Sequence, residues 1–180
     1  QKRWAARPVR ERAALLRRYH DRVVDRATDI LDTIQKESGK ARRDALLDVL
    51  TVAGTARYCA TRGRKFLRPT RAGAAVFGIT SSEVVYKPHG VVGIISPWNF
   101  PFLLAVGDAL PALLAGNAVV LKPSELTPLS ADLARELLLE CGADPDVFQV
   151  VHGRGDVGAE LVRHVDYIGF TGGTATGRKI

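Results

Sequence analysis

Apolar residues recur at three- and four-residue steps through the first third of the chain and gather into short continuous runs after Gly90. The pattern therefore predicts amphipathic helices first and buried strands later. Pro8 suits a helix start, and Tyr19, Val23, Ala27, Ile30 and Ile34 form one apolar stripe on a long charged helix that Gly39 in "ESGK" ends. A second helix is expected from about Arg42 to Arg62, with Leu46, Leu47, Leu50, Ala53 and Tyr58 as its buried side. Between Ala75 and Pro88 the period drops to two, with "AVFGIT" and "EVVYKP" flanking Ser81-Ser82, the signature of a hairpin. An arm with so little core of its own needs a partner.

Beyond Gly90 a unit repeats: "VVGIIS" then "PFLLAVGDALPALLAG", "AVVLKP" then "PLSADLARELLLECG", "VFQVV" then "VGAELVRH", "YIGFTG" then "TATGRKI". Continuous apolar strands alternating with helices imply parallel strands buried on both faces and joined by right-handed crossovers. The expected fold is α/β, a doubly wound Rossmann-like parallel sheet at 90–180, preceded by a helical part at 1–72 and a β-hairpin arm at 73–89. Such sheets bind ligands beyond the carboxyl ends of their strands. The four strand ends, "SPWNFP", "LKPSE", "HGRGDVG" and "FTGGTATG", are thus one candidate site.

Composition narrows the function classes. At 180 residues, 46% hydrophobic and 25% charged, the chain can bury one core. It has no apolar run near the roughly 18 residues that span a bilayer, and "QKRWAARPVRER" lacks the apolar core of a secretory signal, so the cytoplasm is expected. Two cysteines, Cys59 and Cys141, without CxxC or Cys/His clusters, argue for packed thiols and against a disulfide framework or structural zinc. The absence of Met from every position leads us to expect a piece of something longer. Residues 1–71 carry 19 basic and 8 acidic side chains, against 7 and 11 in 72–180. Because the arginines alternate with acids at helical spacing and no aromatics are interleaved, this reads as a solvated helical face rather than a nucleic-acid surface.

Each strand-end loop carries chemistry beside a plainer reading. Gly153, Gly155 and Gly158 fit G-x-G-x-x-G, but they follow the third strand of the unit and no acid stands about 20 residues on, so a tight turn competes with a pyrophosphate clamp. "FTGGTATG" closes a strand and opens a helix, so the amides of Gly172, Gly173 and Thr174 and the Thr171 and Thr174 hydroxyls suit an anion, or else simply cap the helix. In "KPSE", Lys122 can donate to ribose hydroxyls and Glu125 can accept from a 2′-OH and repel a 2′-phosphate, with Pro123 stiffening the turn, or else the two are an ordinary surface ion pair. In "SPWNFP", Asn99 sits between prolines and aromatics, either a fixed oxyanion donor or the cap of the next helix. The histidines, His20, His89, His152 and His164, form no triad-like or metal-like cluster by spacing, so no metal is expected.

"GVVGIISPWNFPF", "LPALLAGNAVVLKPSELTP" and "YIGFTGGTATGR", in that order and spacing, resemble the NAD(P)-dependent aldehyde dehydrogenase superfamily, and "KESGK" and "YKPHGVVGII" extend the likeness over essentially all 180 residues. The resemblance implies that Asn99 donates to the oxygen of thiohemiacetal and thioester intermediates, and that Pro97 and Trp98 wall the nicotinamide and substrate end. It assigns Lys122 and Glu125 to the adenosine ribose, Gly155 and Gly158 to the adenine pocket, and Gly172 and Gly173 to the helix beside the pyrophosphate. Ser96, Ser124, Phe170, Thr171 and Thr176 complete the implied cofactor surface. Many members carry Ser where Gly173 stands, and the family's nucleophilic Cys and general-base Glu fall beyond Ile180. Cys141, just before Gly142 at a helix C-terminus, and Cys59, in an N-terminal helix, are poor substitutes for that nucleophile.

The implied function is the cofactor-binding portion of an NAD-dependent aldehyde dehydrogenase that oxidises a small aldehyde to a carboxylic acid. The likeness is greatest to semialdehyde-type members, although several succinate-semialdehyde enzymes have Arg where this chain has Gly107. NAD is expected over NADP, and a homodimer or homotetramer, with no nucleic acid and no membrane as partners. The alternatives are a non-catalytic truncated nucleotide-binding fragment and, from charge alone, a polyanion-binding protein.

Overall fold

The computed structural model describes every residue except 75, 77 and 78. Four helices lead: α1 (Lys2–Ala6), α2 (Val9–Asp25), α3 (Ala27–Ser38) and α4 (Arg42–Leu67). The single long helix expected from Pro8 to Gly39 is two, broken at Arg26, whose φ −96° and ψ 18° leave the helical region. Hydrogen bonds nevertheless run on, Arg26 N to Arg22 O at 2.9 Å and Ile30 N to Arg26 O at 3.1 Å. The stripe keeps its phase, with Tyr19, Val23, Ile30 and Ile34 buried, so periodicity alone could not reveal the break. Gly39 ends α3 in the left-handed region at φ 69°, as a C-terminal glycine should.

The buried side of α4 is not the expected one. Of the expected residues only Ala53 is buried; Leu46, Leu47, Leu50 and Tyr58 are exposed, Leu50 by 59%, and Ala45, Val49, Val52, Ala56, Cys59, Ala60 and Gly63 are buried beside Ala53. Close packing decides this: a Cβ on Gly63 would lie 1.9 Å from Leu114 Cδ2. The helix approaches its neighbours along its small residues and leaves its large ones outside.

The arm pairs β1 (Thr70–Ala72) with β2 (Ser82–Val84) in antiparallel register, Arg71 opposite Glu83. The sequence placed the first strand at "AVFGIT" and the turn at Ser81-Ser82; instead Ser82 lies within a strand, and Ile79 and Thr80 fold back on the Val76 carbonyl at 3.2 and 3.1 Å. Part of the expected first strand falls on 75, 77 and 78, outside the described residues.

A four-stranded parallel sheet follows, β3 (Val91–Ile95), β4 (Ala118–Lys122), β5 (Phe148–Val150) and β6 (Tyr167–Phe170), in the order β5-β4-β3-β6. The helices between and after them are α5 (Pro101–Val106), α6 (Ala109–Ala115), α7 (Pro128–Glu140), α8 (Gly155–Arg163) and α9 (Thr174–Gly177). One helix was expected where α5 and α6 stand. Pro111 has no N–H to offer the carbonyl one turn back, at Gly107, and the break falls at Gly107-Asp108.

The two faces of the sheet are built differently. Val92, Ile94, Val119 and Leu121 belong to a continuous core with side chains of α5–α7 and of α2–α4. On the other face, a Cβ at Gly93 would meet Leu161 and Val165, and one at Gly158 would touch Lys122 and Ile95, so α8 lies close against β3 and β4. The order reverses between β3 and β6, which places the crevice of a doubly wound fold beside those two strand ends. Among the described residues no helix is long and apolar enough to cross a membrane.

Candidate functional site

Parallel register brings the four strand ends to one edge. Ile95 pairs with both Lys122 and Phe170, and the ladder continues through Ser96 N to Lys122 O and Thr171 N to Ile95 O, both 3.1 Å. Between this edge and α8 runs a groove of about 390 Å³ lined by Ile95, Lys122, Gly155, Gly158, Phe170 and Thr176 among others. It is large enough for part of a nucleotide and, with its glycines, offers flat backbone walls.

Lys122 is only 4% exposed. Its ammonium donates to the Pro123 carbonyl at 2.6 Å and the Gly153 carbonyl at 2.8 Å. An ammonium has three protons, so one remains for a ligand. Burial pushes the Lys122 pKa below the usual lysine range, and the charges of Glu125 and Asp156 partly counter that. Glu125 is exposed on the turn that leads to α7, where Thr127 N donates to Ser124 O at 3.2 Å and Leu126 N to Ser124 Oγ at 3.3 Å.

The three-glycine turn divides its labour. Gly153 sits at φ 151°, where a Cβ would run into Val157 at 2.2 Å, and Gly158 is buried against the Lys122 stem, its Cβ position 3.5 Å from Cδ. Gly155 begins α8 beside open space. At the end of β6, the Phe170 ring closes over Gly172, where a Cβ would approach Cζ to 2.5 Å. Gly173 is the N-cap of α9, and nothing lies within 4 Å of its Cβ position. A Ser side chain would fit there.

Asn99 is exposed on the loop after β3, beside Trp98, while Pro97 is half-buried and Ser96 buried. Of its two readings, the helix cap is not what forms: the N-cap of α5 is Phe100, and no side chain of the loop caps it. The amide of Leu103 in the first turn instead donates to Asp48 Oδ1 at 3.0 Å. Asp48 comes from α4, and its other oxygen accepts from Lys40 Nζ at 2.9 Å; the same ammonium stands 3.9 Å from the Phe100 ring centroid. Neither Lys40 nor Asp48 was anticipated. The only signal was an acid on an otherwise apolar side of a helix.

Cys59 and Cys141 are both buried, and burial pushes both thiols up, away from the thiolate. Cys141 ends α7 as expected. His152 lies 2.9 Å from Asp132 and His164 2.8 Å from Glu160, ordinary surface pairs. Among the described residues no cluster of three His, Cys, Asp or Glu could hold a metal.

The model of the aldehyde dehydrogenase family matches residues 1–180. The chain belongs to that family. A Mycolicibacterium smegmatis protein named "Putative succinate-semialdehyde dehydrogenase (NADP+)" is 45% identical over 181 residues, covering 100% of this chain and 35% of that relative. An N-succinylglutamate 5-semialdehyde dehydrogenase of Chromobacterium violaceum is 38% identical over 176 residues, covering 97% of the chain and 36% of the relative. The crystal structure of an NAD-dependent benzaldehyde dehydrogenase from Corynebacterium glutamicum superposes with a TM-score of 0.91 at 33% identity, covering 99% of this chain and 40% of that one. The chain thus spans about a third of the length of the curated relatives it matches. Within this chain, Lys122, Gly155, Gly158, Phe170 and Thr176 meet in the groove. Glu125, Trp98 and Asn99 stand exposed on loops of the same edge.

Proposed function

We propose that this chain is the dinucleotide-binding portion of an aldehyde dehydrogenase that oxidises an aldehyde, in the finer reading a semialdehyde, to its carboxylic acid with NAD, and that the enzyme assembles as a homodimer or homotetramer. The observation that carries the reading is the Lys122 ammonium, buried at the groove with two protons committed to carbonyls and a third left over. Such a group is preorganised for a neutral hydroxyl acceptor such as ribose. Glu125 on the adjoining turn accepts from the second hydroxyl. Gly155 and Gly158 leave room for the flat adenine ring, and the backbone from Thr171 to Gly173 receives the pyrophosphate. Ser96, Pro97 and Trp98 border the nicotinamide end, with Ser124 and Thr176 supporting the rim. NAD, when bound, supplies the hydride acceptor.

Asn99 is the one residue of this chain assigned to the reacting carbonyl. Its side-chain amide donates to the oxygen that becomes an oxyanion when the nucleophilic thiolate, supplied from outside these 180 residues, adds to the aldehyde to give a thiohemiacetal. The amide continues to donate when water attacks the thioester. Its exposure and its freedom from helix capping support the assignment.

The two roles separate by mutation. In the enzyme containing this chain, Asn99→Ala is expected to leave NAD affinity intact and to lower kcat by about 10²–10³, the usual effect of removing one oxyanion donor. Lys122→Ala is expected to weaken NAD binding first. Fluorescence titration of NAD alongside kcat on a generic aldehyde checks both, and full turnover by Asn99→Ala would remove the mechanistic half of the proposal.

A further inference from the structure

Asp48 is the one acid among the described residues that is buried, at 0% exposure. A carboxylate so placed persists only if its charge and lone pairs are met, and here they are met by groups of two different elements. Oδ2 accepts from Lys40 Nζ at 2.9 Å, just after α3, and Oδ1 accepts from the Leu103 amide at 3.0 Å, in the first turn of α5. Lys40 is shared in turn: its ammonium, 3.9 Å from the Phe100 ring centroid, makes a cation–π contact. The pair therefore grips both ends of the four residues from Phe100 to Leu103, the segment that directly follows Asn99.

The local sequence explains why such a grip is needed. Helix α5 has only six residues, its N-cap Phe100 offers no polar side chain, and Pro101 has no N–H. A helix that short cannot hold its own first turn in place, nor the loop ahead of it. Asp48 supplies the cap from outside, and it stands on α4, a 26-residue helix packed along its small residues into the core. The loop is thereby tied to the longest helix among the described residues.

We propose that Asp48 and Lys40 are positioning residues for the oxyanion loop: through Phe100 and the Leu103 amide they fix the direction in which Asn99 presents its side-chain amide. The inference rests on the reading of Asn99 given above. An oxyanion donor lowers the barrier only if it is in place before charge develops, and a misplacement of about 1 Å can cost on the order of 10²-fold in rate. Neither Lys40 nor Asp48 is among the residues assigned above to substrate or cofactor, so the loss of the pair should appear in turnover and not in NAD binding.

The test is a mutant cycle in the enzyme containing this chain. Lys40→Met should lower kcat by about tenfold or more while the NAD dissociation constant stays within about twofold. Lys40→Arg, which retains cation and aromatic contact, should recover most of the loss. Asp48→Asn, which retains an acceptor for Leu103 N but not the charge, should fall between wild type and Lys40→Met and keeps the test sound if Lys40→Met folds poorly. In an Asn99→Ala background, Lys40→Met should cost nothing further, because the group it positions is gone. A purely structural pair would instead lower activity by the same factor in both backgrounds, and that result, or wild-type kcat in Lys40→Met, overturns the proposal. Should Asn99→Ala alone keep full turnover, the reading of Asn99 fails and this inference with it. Should Asn99→Ala collapse while Lys40→Met does not, only the positioning role is lost.

Discussion

Glu125 bears on a question on which the relatives' names differ, since one is named for NADP and the benzaldehyde enzyme for NAD. Its carboxylate is exposed on the turn that follows the buried Lys122, within a loop that Ser124 braces by accepting from Thr127 N at its carbonyl and from Leu126 N at its hydroxyl. A carboxylate accepts from a 2′-OH and repels a 2′-phosphate, and like charges set face to face weaken binding. The enzyme should therefore use NAD with a kcat/KM about tenfold or more above that for NADP, and Glu125→Gln should narrow the ratio. Kinetics with both cofactors checks this, and equal efficiency would remove the 2′-OH argument. At this scale the sequence was informative wherever a side chain sits at a strand end, because register alone carries Lys122, Phe170 and the residues after Ile95 to one edge. It was silent on Lys40, and for Asp48 it offered only an acid on an otherwise apolar side of a helix. Leu103, whose amide donates to Asp48, is 55 residues from it, and no local pattern encodes a tertiary cap.

Elements in this chain are capped by one another more than by themselves. Helix α7 starts Thr127-Pro128 with no cap from Thr127, whose hydroxyl is buried without a partner. The cap is Glu37 of α3, which accepts from Leu129 N at 2.8 Å, from Ser130 N at 3.0 Å and from the Ser130 hydroxyl. An anion at that place also meets the positive helix end. Glu37→Ala should cost about 1 kcal/mol of stability, the usual loss for a cap, with Glu37→Gln costing less; urea unfolding measures it. The alternation of strand and helix after Gly90 was legible, because strands buried on both faces must be continuously apolar. Which face of α4 is buried was not. Size is the cue that sequence offers, yet backbone approach at Gly63 and the alanines selected the small residues and left Leu46, Leu47, Leu50 and Tyr58 outside. Likewise the arm's existence was readable from its period of two, but not its pairing, since a strand of three residues carries too little pattern to fix its start.

For the whole molecule, the arm poses the largest unmet demand. β1 and β2 form a sheet of two strands whose residues are exposed or half-buried, and an isolated two-stranded pair is marginal in water. Around it Val76, Ile79, Val84, Val85 and Tyr86 are all exposed, Ile79 by 83%. Unpaired strand edges carrying apolar side chains are templates for another chain, and closed symmetric association is the usual way such a surface is satisfied. The basic excess of residues 1–71 is partly offset within the subunit, where Arg26 pairs with Asp29, Glu136 and Glu140, Arg22 with Glu140, and Arg42 with Asp32. The enzyme containing this chain should accordingly be a dimer or tetramer at micromolar concentration. Val84→Lys combined with Tyr86→Lys should shift it toward smaller species, because each substitution places a charge where apolar surface would be covered. Light scattering of both proteins is the measurement. A wild-type monomer would show that the arm closes on its own subunit, and an unchanged oligomer in the double variant would place the assembly contact on some other face of the molecule.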